Sequence, residues 1–353
     1  TSVSIKIKRR GIKNLIEFNI IRNTIPLNSI DVSMMINNTT GFIKLNRFSA
    51  KTTSEFNTAI TNLFENGMEQ LILDLRDLSA AVNICDKLLN KEELIVYTQG
   101  RMREKNEIYS RSQTILEENK LVVLINEGSA SASEIIAGAV QDNDRGIIIG
   151  RRSFGKGLVQ EEIKLNDGAA IRLTTQRYYT PSGRSIQKDY QENNEEYFLE
   201  QYLRNDSIIP DSLKYKTRLG RTVYGGGGIN PDIIIAKDSS LNYKLLNEII
   251  IKGWIRDFSM QYSDQNRKNL FKIADSQEYL KRMEEIILNR FINYTIKKDK
   301  NLKLDLKTQD KLFLKKQITA SIARNLWSSE DYYKIIIDSD EYVKKAIEVI
   351  YKN

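Results

Sequence analysis

The sequence predicts an α/β protein with a mostly parallel β-sheet, followed by an α-helical C-terminal region. From Gly41 to about residue 150, strand-like and helix-like segments alternate, which is typical of a chain built from βα units. Residues 70–75 and 120–125 are short, nearly continuous apolar runs, as expected for strands covered on both faces. After about residue 240, apolar residues recur at helical spacing opposite charged faces.

Within the α/β region, each element follows from its periodicity and from the residues that end it. The predicted helix over residues 53–64 is amphipathic and ends at Asn66-Gly67, a common helix stop. Residues 131–141 form a predicted helix of small residues, which a short loop joins to the strand before it. The other predictions here are a helix over residues 80–89 and strands over residues 41–45, 93–97, 146–150, 158–164 and 170–178.

The two ends of the chain have different patterns. Residues 1–28 alternate apolar and polar positions around Gly11, which predicts strands in a segment too short to hold its own core. We therefore predict the last strands of a small β-rich domain over residues 1–28, a core over residues 29–240 and a helical C-terminal domain over residues 241–353. The predicted helices of this last domain cover residues 243–260, 277–297, 310–327 and 342–351.

The composition excludes several kinds of chemistry. The chain has 353 residues, a single cysteine and no histidine. It cannot by itself form a Ser-His-Asp triad, a Cys-His pair, a His-ligated zinc site or a haem with a proximal histidine. Hydrolytic chemistry would need another base: a desolvated lysine, a carboxylate or a metal held by carboxylates.

Charge and hydropathy predict neither a nucleic-acid partner nor a membrane span. The net charge is +8, but basic residues are interleaved with acidic ones and no nucleic-acid motif is present. The basic clusters at residues 6–10 and 297–300 are interpreted as solvated surface. The longest apolar runs are far shorter than the ~20 residues that a membrane helix needs.

Ser131 lies where a buried-type strand runs through a short loop into a helix. A serine at a helix N-terminus is close to unpaired backbone N–H groups, which can stabilise an oxyanion on an acyl group attached to it. A simpler interpretation competes with this one, because Ser131 and Glu134 also have the spacing of a capping box. The loop alone therefore does not distinguish a nucleophile from a helix cap.

Lys156 has a glycine on each side, Gly155 and Gly157. Glycines let the backbone turn sharply and bring the amine close to other parts of the chain. A lysine acts as a base only when it is neutral, a form that burial in a dry pocket favours. A surface lysine remains the simpler interpretation of Lys156 taken by itself.

Together these segments resemble the C-terminal processing peptidases, also called tail-specific proteases. The likeness covers roughly residues 29–240. It is carried by Asn126, Gly128 and Ser131-Ala132-Ser133-Glu134, by Gln141-Asp142, by Phe154-Gly155-Lys156-Gly157 and Gln160, by Arg177-Tyr178-Tyr179-Thr180-Pro181-Ser182-Gly183-Arg184, and by Gly225-Gly226-Gly227-Gly228-Ile229-Asn230-Pro231-Asp232.

The resemblance implies a crotonase/ClpP-like α/β core with an inserted PDZ domain and a serine/lysine mechanism. Ser131 would be the nucleophile, Lys156 its general base and Gln160 the residue that orients the lysine. The backbone N–H of Ala132 would be one oxyanion donor, and Asp142 a supporting acidic residue. No metal and no cofactor are implied.

The sequence departs from the family pattern in two places. The family carries a glycine-rich loop, which supplies further oxyanion donors, after the strand that ends in Asp-Leu-Arg. Here Asp74-Leu75-Arg76-Asp77 passes directly to Leu78. The PDZ domain is represented only by its last strands, near residues 1–28. We expect that these segments are missing from the sequence at hand, and rank a true deletion second.

Three functions are compatible with these features. The first is a serine endopeptidase that cuts polypeptides near exposed C-termini through an acyl-enzyme. The second is a catalytically impaired peptide-binding scaffold on the same fold, and the third is another Ser/Lys hydrolase such as an amidase. The resemblance also implies a periplasmic or cell-envelope location. A homo-oligomer or an adaptor would contact the helical domain.

Overall fold

The computed structural model describes residues 1–9, 12–23, 27–78, 84–190, 197, 210–270 and 276–352. In chain order its strands are β1 (Ser2–Ile7), β2 (Ile16–Ile21), β3 (Ile30–Met35), β4 (Thr40–Leu45), β5 (Gln70–Asp74), β6 (Leu94–Gly100), β7 (Arg103–Tyr109), β8 (Lys120–Ile125), β9 (Ile147–Gly150), β10 (Leu158–Lys164), β11 (Ala170–Tyr179), β12 (Lys214–Lys216), β13 (Thr222–Tyr224) and β14 (Ile233–Ile234). Its helices are α1 (Thr52–Glu65), α2 (Cys85–Leu88), α3 (Ala132–Asp142), α4 (Tyr243–Ile251), α5 (Trp254–Leu270), α6 (Ser276–Lys298), α7 (Thr308–Leu326), α8 (Ser329–Ile337) and α9 (Glu341–Lys352).

The main sheet is mostly parallel, as predicted. In the described part of the chain it has six strands in the order β14-β9-β8-β5-β4-β3. All neighbouring pairs are parallel except β3 with β4. Because β4, β5, β8 and β9 run in the same direction, their carboxyl ends meet at one edge of the sheet. The loops that follow β8 and β9 at this edge contain Ser131 and Lys156.

Both faces of this sheet are covered by apolar side chains. On β8, Val123 packs with α1, α2 and α3 on one face, whereas Val122 and Leu124 pack with α8 and α9 on the other. Successive side chains of a strand point to opposite faces, so a strand buried on both sides reads as a continuous apolar run. The predicted class, α/β with a helical C-terminal region, is confirmed.

A second sheet, with the order β10-β11-β6-β7 among the described residues, packs beside the first. Its strand β7 was not predicted from the sequence. All seven side chains of β7 are exposed, so the strand lacks the apolar alternation that marks a half-buried strand. Pairing with β6 rather than burial therefore defines this element.

The helical region differs from its prediction at two points. The predicted helix over residues 243–260 is two helices, α4 and α5, because Gly253 adopts φ +68° between them, a conformation that glycine readily adopts and that ends a helix. Helix α8 was not predicted.

In the α/β region, the predicted helix over residues 80–89 is observed only as α2, and residues 79–83 lie outside the described residues.

The last helix, α9, packs on the main sheet. Val343, Ala346 and Ile350 of α9 belong to the cluster on the main sheet, while α4, α5, α6 and α7 share a separate apolar core. The division at residue 241 therefore stays a prediction, with α8 and α9 attached to the sheet.

Strands β1 and β2 form an antiparallel hairpin whose side chains are almost all exposed. A two-stranded hairpin is marginally stable in water, which fits the prediction that it belongs to a larger β-rich domain. Its assignment to a PDZ domain stays a prediction. Among the described residues, no helix combines the length and apolar character required to cross a membrane.

Candidate active site

Ser131 lies at the turn between β8 and α3 in an unusual backbone conformation. Its dihedral angles are φ +56° and ψ −108°. A positive φ is uncommon for a residue with a side chain, and such strain is concentrated at functional sites. The side chain is half-buried, and Ser131 and Glu134 form the capping box that their spacing predicts. An N-cap residue ordinarily has extended dihedral angles, so capping leaves the positive φ of Ser131 unexplained.

The N-terminus of α3 leaves one backbone donor beside Ser131. The Ser131 N–H donates to Glu134 Oε2 at 2.8 Å. By contrast, no described residue accepts a hydrogen bond from the Ala132 N–H, as expected for the first residue of a helix. The Ala132 N–H is thus placed to bind a negative charge next to the serine.

Lys156 lies in the loop between β9 and β10. The backbone of this loop runs close to the glycine-rich segment at residues 225–228. A Cβ atom built on Gly155, where φ is +91°, would lie 3.0 Å from the Gly228 nitrogen. The side chain of Lys156 is half-buried, and no described residue forms an ion pair or a hydrogen bond with its amine. The close approach of the two backbone segments therefore explains why residue 155 is a glycine.

One buried carboxylate, that of Glu134, joins the serine loop to the lysine loop. Its Oε2 atom accepts from the Ser131 N–H at 2.8 Å and from the Lys156 N–H at 2.9 Å. Its Oε1 atom accepts from Ser153 Oγ at 2.6 Å and from the Gly155 N–H at 2.7 Å. Burial raises the pKa of Glu134, and the four donors oppose that rise. An acceptor with four donors fits the ionised carboxylate.

A second side chain bridges the same two loops. The Tyr178 hydroxyl lies 3.1 Å from the Ser131 carbonyl oxygen and also contacts the Lys156 carbonyl oxygen. Burial raises the pKa of Tyr178 well above its ordinary value, so the hydroxyl is a donor at neutral pH. Sequence reasoning missed Tyr178 as a site residue and interpreted Glu134 only as part of a capping box.

Among the described residues, Gln160 forms no hydrogen bond with Lys156. Gln160 lies in β10 at an irregularity in the pairing with β11, and its side chain is exposed. None of the described residues forms a hydrogen bond with that side chain. Its predicted role in orienting the lysine stays a prediction.

Asp142 is remote from the serine within the same helix. It is the last residue of α3, about 16 Å from Ser131 at 1.5 Å per residue. Its buried carboxylate is 2.7 Å from Arg184, which is also fully buried, and accepts from the Ser182 N–H at 3.0 Å. These contacts hold the loop after β11 against α3, a structural arrangement.

The chain after β5 contacts the serine loop directly. The Leu78 carbonyl accepts from the Ala130 N–H at 2.9 Å and from Ser133 Oγ at 2.8 Å. The next residues, 79–83, lie outside the described ones. Among the described residues, no group of three or more Cys, Asp or Glu side chains is arranged to hold a metal ion.

Comparisons with known proteins show similarity to peptidases over the α/β part of the chain. Residues 39–196 match the model of "Peptidase family S41", and residues 245–328 match a "Family of unknown function (DUF8443)". The chain is 39% identical over 199 residues to the carboxy-terminal-processing protease of Bartonella bacilliformis, which covers 53% of this chain and 45% of that protein. It is 38% identical over 196 residues to the carboxyl-terminal-processing protease of Synechocystis sp., with coverages of 53% and 45%.

The chain spans about half the length of the curated relatives it matches. Among solved structures it is similar to the photosystem II D1 C-terminal processing protease. That match has a TM-score of 0.45 and 24% identity, over 67% of this chain and 55% of the other.

Proposed function

We propose that the protein is a serine endopeptidase that cleaves polypeptides near their C-termini, because residues 39–196 match the model of peptidase family S41. The observation that carries the proposal is the Glu134 carboxylate, which accepts from the backbone N–H groups of both Ser131 and Lys156. This carboxylate joins two loops at the same edge of the sheet. One loop contains a serine at a strained turn, and the other contains a lysine that has no ion-pair partner among the described residues.

In the proposed reaction Ser131 Oγ attacks the scissile carbonyl while the neutral Lys156 amine accepts its proton. The tetrahedral oxyanion binds the Ala132 N–H, which has no acceptor among the described residues. The protonated lysine then donates a proton to the leaving amine, and water hydrolyses the acyl-enzyme with Lys156 again as the base. General-base and oxyanion contributions of this kind are each worth roughly 10²–10³-fold or more.

The remaining roles follow the same proposal. Gln160 orients Lys156 by a hydrogen bond to its amine. Asp142 supports the fold through Arg184. A bound peptide adds to a strand edge near the site. The substrates are polypeptides with exposed C-termini in a periplasm or cell envelope, and the helical domain is the surface for self-association or an adaptor.

The test is hydrolysis of a tail-tagged unfolded protein by wild type, Ser131→Ala and Lys156→Ala. Both variants should lose at least about 10³-fold in rate. Lys164→Ala, at an exposed position of β10, serves as the matched control and should be unchanged. Undiminished cleavage by either site variant rules out the assignment. A wild type that neither cleaves nor is labelled at Ser131 by an acylating probe would instead indicate an impaired scaffold.

A further inference from the structure

Tyr178 is placed to control the geometry between the two proposed catalytic residues. Its side chain is 3% exposed, and its hydroxyl contacts the carbonyl oxygens of Ser131 and Lys156. The Tyr178 backbone N–H also donates to the Gly157 carbonyl at 3.0 Å. Strand β11 therefore holds the lysine loop from two directions, through a side chain and through the main chain.

The two bridges act on opposite backbone groups of the same residues. Glu134 accepts from the N–H groups of Ser131 and Lys156, and the Tyr178 hydroxyl faces their carbonyl oxygens. A hydroxyl has one proton and donates to one of these carbonyls at a time. Both carbonyls must nevertheless stay within reach of one oxygen atom, which limits how far the loops can move apart.

We propose that Tyr178 is a positioning residue for the serine–lysine pair. The inference rests on the proposed function and adds to it. Proton transfer requires the two heavy atoms to approach within about 2.6–3.2 Å, and a misplacement of about 1 Å costs on the order of 10²-fold in rate. By holding the two backbones together, the Tyr178 hydroxyl keeps Ser131 Oγ within reach of the lysine amine.

A packing role is the competing explanation, because a buried tyrosine normally finds a hydrogen-bond partner in any case. Tyr178→Phe separates the two roles, since it removes the hydroxyl and keeps the ring. Tyr179→Phe is the matched control. Tyr179 is the next residue of the same strand, so its ring lies on the opposite face, stacked on Tyr97 with a centroid distance of 4.9 Å.

The experiment measures kcat and KM for peptide hydrolysis by the full chain, with rates divided by the active sites titrated with an acylating serine probe. Tyr178→Phe should lose about 10-fold or more in kcat with KM within about twofold, and Tyr179→Phe should match wild type. Normalisation matters because a purely structural defect lowers the number of active sites, not the turnover of each.

Three outcomes separate the possible failures. If Ser131→Ala cleaves as fast as wild type, the proposed function fails. If Ser131→Ala is inactive and Tyr178→Phe turns over like wild type per active site, only the positioning role is overturned. Should Tyr178→Phe melt near the assay temperature, the same comparison in sucrose, which favours the folded state, gives the decisive kcat.

Discussion

At the scale of single residues, Glu134 is a charged side chain in the protein interior, which is rare unless the charge has partners. It is fully buried, and burial of a carboxylate costs free energy unless the charge is satisfied. Three backbone N–H groups and the Ser153 hydroxyl satisfy it. The buried charge is therefore tolerated because all four donors form hydrogen bonds with the carboxylate.

Glu134→Gln should be strongly destabilising although it preserves the shape of the side chain. The amide nitrogen would face N–H and O–H donors and leave them unpaired, at about 1–3 kcal/mol per buried group. We expect a loss of about 2–4 kcal/mol in the free energy of unfolding, measured by urea denaturation. Glu162→Gln, at an exposed strand position, should change it by less than about 0.5 kcal/mol. Equal stability of the two variants would contradict this account of the carboxylate.

At the scale of elements, the last helix belongs to the α/β core as much as to the C-terminal region. Its apolar face lies on the main sheet, and the Arg76 side chain after β5 pairs with Asp340 at 2.7 Å just before the helix. The Arg76 guanidinium also lies 4.6 Å from the centre of the Tyr342 ring. The helix is therefore attached to the sheet edge from which the chain continues towards the serine loop.

Ile350→Ala should therefore lower the free energy of unfolding of the α/β core. Ile350 is 2% exposed in α9, and removing a buried isoleucine side chain costs about 2–5 kcal/mol. Ile251→Ala is the control, because Ile251 at the end of α4 is 84% exposed and should lose less than about 0.5 kcal/mol. The unfolding of the core in urea is measured by the loss of peptide hydrolysis. An Ile350→Ala protein that keeps wild-type stability would detach α9 from the core.

These elements also mark what the sequence could and could not predict. Helical periodicity indicates that one face of residues 342–351 is covered, but it contains no information on which element covers it. Likewise Ser131 and Lys156 were predicted from the loop and from the family resemblance. Tyr178 was not, because alternation along β11 places it on the same face as the polar Arg172, Thr174 and Gln176. The role of Gln160, which only the resemblance implies, stays a prediction, since its side chain is exposed.

At the scale of the whole molecule, a buried ion cluster joins the sheet to the C-terminal helices. Asp74 at the end of β5 is fully buried and lies 2.7 Å from Arg76 and 3.1 Å from Lys44. Burial alone would raise the pKa of the Asp74 carboxyl, but the two positive charges and the Arg76 hydrogen bonds overcome it and hold the pKa well below its ordinary value. Since Arg76 also pairs with Asp340, protonation of Asp74 weakens a contact between distant parts of the chain.

The sign of the pH dependence follows from that lowered pKa. Ionised Asp74 contributes stability that is fully present above the unfolded-state pKa, about 3.9, and is lost as the pH falls towards the folded-state value. Asp74→Asn should cost about 3–5 kcal/mol near neutral pH, because it removes the buried charge between two cations and leaves Arg76 with Asp340 as its ion-pair partner. The difference between wild type and variant should then shrink steadily below about pH 5. Urea unfolding of both proteins from pH 7 to pH 2 measures this difference, with Asp167→Asn in an exposed turn as the control variant. A difference that stays constant down to pH 2 would show that the charge of Asp74 does not hold the sheet and the C-terminal helices together.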